Sequence, residues 1–303
     1  MSTAAIIDVG TQSTNLLVAT QHSELARIVT ATRLGEGLNF SQSLSDEAMS
    51  RTINAISSHA DIARQHNSDT IKIVGTAACR QAINCSDFVS RVRTQTGLDL
   101  IVIDGQQEAT YSFVGSLVGL PAIDGTSLVI DIGGGSTEFT IGHRIPQQTA
   151  SINHGAVVVT EREILHDPPR PEELINAIGA VQDDLEEVTR SIPQLLTADR
   201  VVGTAGSIVT IAAVELGLVD FDDGRLHGFE LTREAAEDVF RTLATERLSD
   251  RIHNPGLPRA RADIIVAGCC VLVGIMRRLH LDSLVVSTRN LLDGVALEVL
   301  NSQ

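Results

Sequence analysis

The run Leu128-Val129-Ile130-Asp131-Ile132-Gly133-Gly134-Gly135-Ser136-Thr137-Glu138 constrains this chain more than any other stretch. Apolar residues that lead into glycines read as a buried strand entering a tight turn. Three glycines remove every Cβ from that turn, so its N–H groups can converge on an anion without obstruction. Asp131 and Glu138 add hard oxygen donors beside it, which suits Mg²⁺ shared with phosphate. The competing reading is a glycine-rich hairpin whose acids are solvated. Consecutive glycines cost backbone entropy that an ordinary hairpin does not require, which favours phosphate.

A second copy of the turn lies upstream. Asp8-Val9-Gly10-Thr11-Gln12-Ser13-Thr14 lines up with Asp131–Thr137 at a constant offset, 131 − 8 = 123 positions, with Asp, Gly, Ser and Thr coinciding. The surrounding pattern repeats as well. β-like runs at 4–9, 16–20 and 26–34 precede a helix over 45–66, whose apolar positions Ala48, Ile53, Ile56, Ala60 and Ala63 keep helical spacing. A strand at 70–75, one or two helices over 76–95, a strand at 98–103 and a helix over 105–120 complete the order βββαβαβα. Runs at 127–132, 138–142 and 147–152 then restart it. A helix over 155–165, a strand at 199–203, a helix from about 205, further helices at 233–247 and 261–279, a strand at 283–286 and a final helix from 291 continue it. The long acidic helix over 171–192 reads as an insertion, and 217–229 shows no clear period. These patterns predict an α/β chain of two like domains, 1–121 and 122–288, with a C-terminal helix at about 289–303 able to pack back on the first. The two Asp-x-Gly turns are expected to face each other across a cleft and offer amides and hydroxyls to successive phosphates.

Composition narrows the partners. The chain has 303 residues, 43% of them hydrophobic, and a formal net charge of −15. Such an acidic protein is a poor non-specific binder of nucleic acid or anionic membrane, although amides, a metal and a few arginines can make one pocket locally positive. Cys79, Cys85, Cys269 and Cys270 form no Cys-x-x-Cys pair, and reduced thiols are expected. The start lacks a basic segment, and Asp8 interrupts it too early for a signal peptide. The longest apolar run, 264–276, is short of the roughly 20 residues that span a bilayer. A soluble cytoplasmic protein is expected, with no nucleic acid and no membrane among its partners.

At these residues the chain resembles the actin, Hsp70 and sugar-kinase superfold, and within it the exopolyphosphatase/guanosine pentaphosphate phosphatase family. The family pattern Asp-x-Gly-Ser-Asn-Ser appears as Asp8-Val9-Gly10-Thr11-Gln12-Ser13, and Asp-Ile-Gly-Gly-Gly-Ser-Thr-Glu stands unchanged at Asp131–Glu138. Gly75-Thr76-Ala77-Ala78-Cys79-Arg80, Gln107-Glu108-Ala109 and Arg261-Ala262-Asp263-Ile264-Ile265 match three further blocks. The resemblance covers nearly the whole chain and points to the short, two-domain members. It implies two RNase H-like (actin/Hsp70-type) domains, and leaves a homodimer as an assembly to test. Thr110, Val158 and Leu292 stand where relatives often carry Arg, and the substrate's length and identity are open for that reason.

The resemblance also implies roles. Hydrolysis of a terminal phosphoanhydride needs in-line water, charge neutralisation and a group that orients the water. Glu108 takes that last role, and Arg80 reaches the transferring phosphate. By residue type alone, Glu108 reads instead as a first-turn surface acid favoured by the helix dipole, and Arg80 as a solvated or ion-paired arginine; the family motif is what reverses this for Glu108. Asp131 and Glu138, with Asp8, are the expected ligands of Mg²⁺, or of Mn²⁺ in its place. Gly10, Thr11, Gln12, Ser13, Gly133, Gly134, Gly135, Ser136, Thr137 and Arg261 are the expected phosphate contacts. Gly203-Thr204-Ala205-Gly206-Ser207 is either an anion site at a helix N-terminus or a packing turn. The leading expectation is an exopolyphosphatase acting on inorganic polyphosphate, favouring short chains. Guanosine pentaphosphate hydrolysis and a non-catalytic sensor of phosphate chains are the alternatives.

Overall fold

A computed structural model describes residues 2–302. The chain divides into two compact units, one running to Gly115 and resuming at Leu291, the other spanning Ser116–Asn290. The first holds β1 (Thr3–Val9), β2 (Ser13–Thr20), β3 (Glu24–Ala31), α1 (Leu38–Ser41), α2 (Asp46–Gln65), β4 (Thr70–Gly75), α3 (Ala77–Gln81), α4 (Cys85–Thr96), β5 (Leu100–Val102) and α5 (Gly105–Ser116). Its strands form one sheet in the order β3-β2-β1-β4-β5. β1 pairs antiparallel with β2 and parallel with β4. Ser45 caps α2 by accepting from the Ala48 amide, and Asp46 and Glu47 occupy its first turn, where the dipole favours acids. The same helix buries Ala48, Ile53, Ile56, Ala60 and Ala63 against the sheet, so periodicity and packing agree.

The second unit holds β6 (Ser127–Ile132), β7 (Thr137–Gly142), β8 (Pro146–Ile152), α6 (Ala156–Glu163), α7 (Pro171–Ser191), β9 (Arg200–Thr204), α8 (Ala205–Glu215), α9 (Asp223–Leu226), β10 (Glu230–Thr232), α10 (Arg233–Thr245), α11 (Leu248–Arg251), α12 (Ile265–Arg278) and β11 (Ser283–Val286). Its six-stranded sheet runs β10-β11-β9-β6-β7-β8. With β10 set aside this is the strand order of the first unit, the RNase H-like arrangement expected from the repeat. β10 is an added edge strand, antiparallel to β11, which the sequence pattern did not reveal. Three residues are too few for a period-two signal.

α7 is a correction. Its length and acidity suggested an insertion, but it lies between β8 and β9 as α2 lies between β3 and β4. Ala177, Val181 and Leu185 on its inner face enter the core and α12 packs along it. Its acids other than the buried Glu173 sit on the outer face, and they masked the stripe. The material added to the repeat is instead α9, β10, α10 and α11. α12 is buried almost all round, which accounts for the apolar run there. Among the described residues no helix is long and apolar enough to cross a membrane.

α13 (Leu291–Asn301) belongs to the first unit. Leu291, Leu292, Val295, Ala296 and Leu300 pack on Ala4, Ile6 and Leu17 of that sheet. Arg27 on β3 pairs with Asp293 at 2.6 Å, and burial is the main force opposing the charge that Asp293 stabilises. Gly294 brings α13 onto α5 so closely that a Cβ would stand 2.1 Å from the Tyr111 carbonyl oxygen.

Candidate active site

In the second unit the glycine turn is closed by Gly133 N donating to Ser136 O at 3.0 Å. Its outer side is gripped by the start of α6. The amides of Ala156 and Val157 donate to the carbonyls of Gly133 and Gly134, both at 2.9 Å, and those of Gly155 and Val158 to Gly135 and Gly134, both at 3.3 Å. The first N–H groups of a helix have no partner within it, and here the loop's carbonyls satisfy them. A trans peptide points its C=O and the following N–H in opposite directions. With three carbonyls turned toward α6, the amides of Gly134, Gly135 and Ser136 therefore face away from it as a set of anion donors. Gly155 explains the glycines: a Cβ there would lie 2.3 Å from the Gly134 carbonyl.

The first unit repeats the device. Gly10 N donates to Ser13 O at 2.9 Å, Thr32 and Arg33 amides to Gln12 O at 3.1 and 2.9 Å, and Gly35 N to Thr11 O at 3.0 Å. Arg33 adopts a left-handed backbone, φ 51°, in sharing that acceptor. The amides of Gln12 and Ser13 are turned the other way. Thr32 and Gly155, like Gly35 and Val158, are related by the offset that relates the two loops. The sequence reading expected a helix over 155–165 but connected neither it nor Thr32–Gly35 with the loops; extending the offset past the third strand is the signal that finds them.

The acids differ between the copies. Asp131 stands opposite Glu138 in the β6–β7 register, so the two side chains share a face of the sheet. Glu138 is buried and accepts from the hydroxyls of Ser136 and Ser151. In the first unit Asp8 stands opposite Asn15, whose Nδ2 donates to Asp8 Oδ2 at 3.2 Å. An amide thus replaces the second carboxylate in the first copy. Opposed like charges on one face repel, and a hard cation relieves that repulsion only where two carboxylates meet. Among the described residues no cluster of three or more His, Cys, Asp or Glu side chains gathers to hold a metal. A pair of carboxylates fits Mg²⁺, which commonly takes one or two and completes its shell with water and substrate phosphate.

Glu108 lies in the first turn of α5, which Asp104 begins: Gln107 N donates to Asp104 Oδ1 at 2.8 Å and Glu108 N to Asp104 O at 3.0 Å. Arg80, at the end of α3, donates from Nη1 to the Ile103 carbonyl at 3.2 Å and to the Glu108 carboxylate. Two residues treated separately in the sequence are one ion pair. Arg80 is a residue that holds Glu108 in place as well as a cation near it.

Arg261 lies in the second unit over the first turn of α8. A Cβ on Gly206 would fall 1.9 Å from its guanidinium, so Gly206 makes room for Arg261, and burial lowers the guanidinium's pKa. Gly203 serves packing, since a Cβ there would meet Leu284 at 2.8 Å and Ile208 at 2.9 Å. The missing arginines also look different in three dimensions. Val158 and Leu292 are 5% and 2% exposed and belong to the interior, and Thr110 turns its hydroxyl to the Gln106 carbonyl. Two of the three positions are therefore core rather than surface, and they carry no argument about the length of the substrate.

Comparison with known proteins agrees with this geometry. The model of the "Ppx/GppA phosphatase family" matches residues 11–303. The chain is 30% identical to "Exopolyphosphatase 2" of Mycobacterium tuberculosis (strain H37Rv), over 99% of each chain. It is also 30% identical to "Guanosine-5'-triphosphate,3'-diphosphate pyrophosphatase" of Vibrio atlanticus, covering 98% of this chain and 59% of that one. The crystal structure of an exopolyphosphatase-like protein superposes with a TM-score of 0.94 at 29% identity, covering 99% of both chains. The Aquifex aeolicus Ppx/GppA family member gives 0.81 at 27%, covering 100% of this chain and 99% of that one. With both glycine-containing turns, the Asp131–Glu138 pair and the Arg80–Glu108 pair in a chain matched over nearly its whole length, this protein belongs to the Ppx/GppA phosphatase family.

Proposed function

We propose that this chain is an exopolyphosphatase that removes terminal phosphate from inorganic polyphosphate. Its family makes it a phosphoanhydride hydrolase, and full-length similarity to a protein named exopolyphosphatase supports the substrate. The observation that carries the reading is the duplicated turn, which frees two sets of amides for phosphate oxygens. Gly10, Thr11, Gln12 and Ser13 bind phosphate from one unit, and Gly133, Gly134, Gly135, Ser136 and Thr137 from the other. Arg261 adds a partly desolvated cation. Glu108 orients the attacking water and accepts its proton, and Arg80 keeps the carboxylate in place. A sensor that only binds phosphate chains gains nothing from an acid so held. Phosphate release from polyphosphate, run beside guanosine pentaphosphate, tests the proposal. Faster turnover of the guanosine substrate would move the chain to the second reading, which its similarity to the Vibrio protein favours.

Mg²⁺, or Mn²⁺ in its place, would be held by Asp131 and Glu138 and would neutralise charge on the phosphate oxygens. Activity is expected to vanish in excess chelator. Asp131→Ala and Glu138→Ala are expected to raise the metal concentration for half-maximal rate by about tenfold or more, consistent with loss of one of two carboxylate ligands. Metal titrations of the variants check this, and unchanged metal dependence would remove both residues from the role.

Short chains remain the proposed preference, now on total charge. Each added phosphate brings roughly one negative charge toward a protein of formal net charge −15. kcat/KM for short polyphosphates is expected to equal or exceed that for long ones. A kcat/KM that climbs steadily with chain length would contradict it.

A further inference from the structure

Each turn is gripped by the segment after the third strand of its unit, and in both units that segment is held a second time, from the long helix that follows. Thr14 and Thr137, related by the offset of the two turns, tie turn to grip. Thr137 Oγ1 donates to the His154 carbonyl at 2.7 Å, and Thr14 Oγ1 lies 2.9 Å from Thr32 Oγ1. The helices supply the other hold. In the second unit His154 Nε2 stands 3.0 Å from Asp184 Oδ2 on α7. In the first, Arg51 Nε on α2 donates to the Thr32 carbonyl at 3.1 Å. α2 and α7 are counterparts, so the same link is built twice with different chemistry.

His154 is placed to transmit this hold. It is 5% exposed and immediately precedes Gly155, whose amide donates to Gly135 O. Its carbonyl is bound to the turn and its ring to α7, a helix fixed by Ala177, Val181 and Leu185 in the core. Burial lowers the pKa of the ring against the pull of Asp184. Near neutral pH the imidazole is therefore uncharged, and Nε2 carries its one proton and donates it to the carboxylate.

We propose that His154 and Asp184 are positioning residues that tie the start of α6 to α7 and so set the glycine turn for phosphate before substrate arrives, with Arg51 setting the first turn from α2 in the same way. A tie biases the turn by no more than its own interaction free energy. One charge-assisted hydrogen bond sustains a ratio of about tenfold between set and unset turns. Without it, substrate binds only the fraction of molecules whose turn is set, which weakens apparent affinity by that fraction. The bound complex is unchanged, so the loss falls on KM and spares kcat.

The kinetic consequence rests on the proposed phosphate-binding role of the turn; the tie does not, so the test reads them separately. The amides at 155–158 donate to the turn, and their hydrogen exchange in the full chain without substrate reports whether the grip is closed. Asp184→Ala is expected to speed that exchange and raise KM for polyphosphate about tenfold, with kcat little changed. Asp184 is about half exposed, so its truncation leaves the core intact. Asp184→Asn keeps an oxygen to accept from Nε2, and His154→Gln places an uncharged N–H where Nε2 stood; both are expected to keep the parent KM. Arg51→Ala is expected to speed exchange at 32–35, whose amides donate to the first turn. Parent-like exchange over 155–158 in Asp184→Ala overturns the proposal. So does a loss that Asp184→Asn and His154→Gln share in full, or one confined to kcat. Unchanged exchange at 32–35 in Arg51→Ala overturns the half that concerns α2. Faster exchange over 155–158 with an unchanged KM supports the tie and removes the glycine turn from phosphate binding.

Discussion

Glu108→Gln is expected to lower kcat by ~10²–10⁴, the range for a positioned acid–base group, with little change in stability. The amide keeps the size of the side chain and its place in the first turn of α5. It still offers an oxygen to Arg80, so the contact with Arg80 and Ile103 survives in weaker form. What it loses is the capacity to take a proton from water. Steady-state kinetics together with substrate binding by the variant measure this. A variant that binds and turns over like the parent would show that Glu108 only anchors Arg80.

Gly155→Ala is expected to cost roughly 1–3 kcal/mol of stability and about 10²-fold in kcat/KM, the scale of a 1 Å misplacement of a binding group. The backbone at Gly155, φ −89°, suits alanine, so conformation is not the obstacle. The methyl would stand 2.3 Å from the Gly134 carbonyl and 2.5 Å from the Gly135 nitrogen. Neither is the end of a flexible side chain, so the loop itself has to shift, and with it the amides aimed at phosphate. Gly179→Ala is the control. It lies within α7 with nothing near its Cβ direction, and replacing a helical glycine by alanine stabilises by roughly 0.5–1 kcal/mol. Urea unfolding and phosphate release on both variants test the contrast. Equal behaviour of the two would mean that α6 does not set the loop.

Much of this protein was legible in one dimension because its information is local. A strand that ends in Asp-Ile-Gly-Gly-Gly declares both its burial and its turn, since no other residue permits so close a backbone approach. The repeat at a fixed offset located the second turn, the period of the apolar residues located α2, and an unbroken apolar run located α12. Element ends moved by a few residues, and α7, the counterpart of α2, passed for an insertion because most of its acids face outward.

What the sequence could not carry were the partnerships made between distant segments. Nothing near Gly155 says that the start of α6 grips the carbonyls of the glycine loop and so turns its amides outward. Arg80 and Glu108 are far apart in the chain and meet because α3 and α5 follow neighbouring parallel strands, β4 and β5. Val158 and Leu292 read as lost charges until burial showed them to be core. In each case the backbone conformation is a local property, while a side chain's partner is set by which segments the sheet brings together.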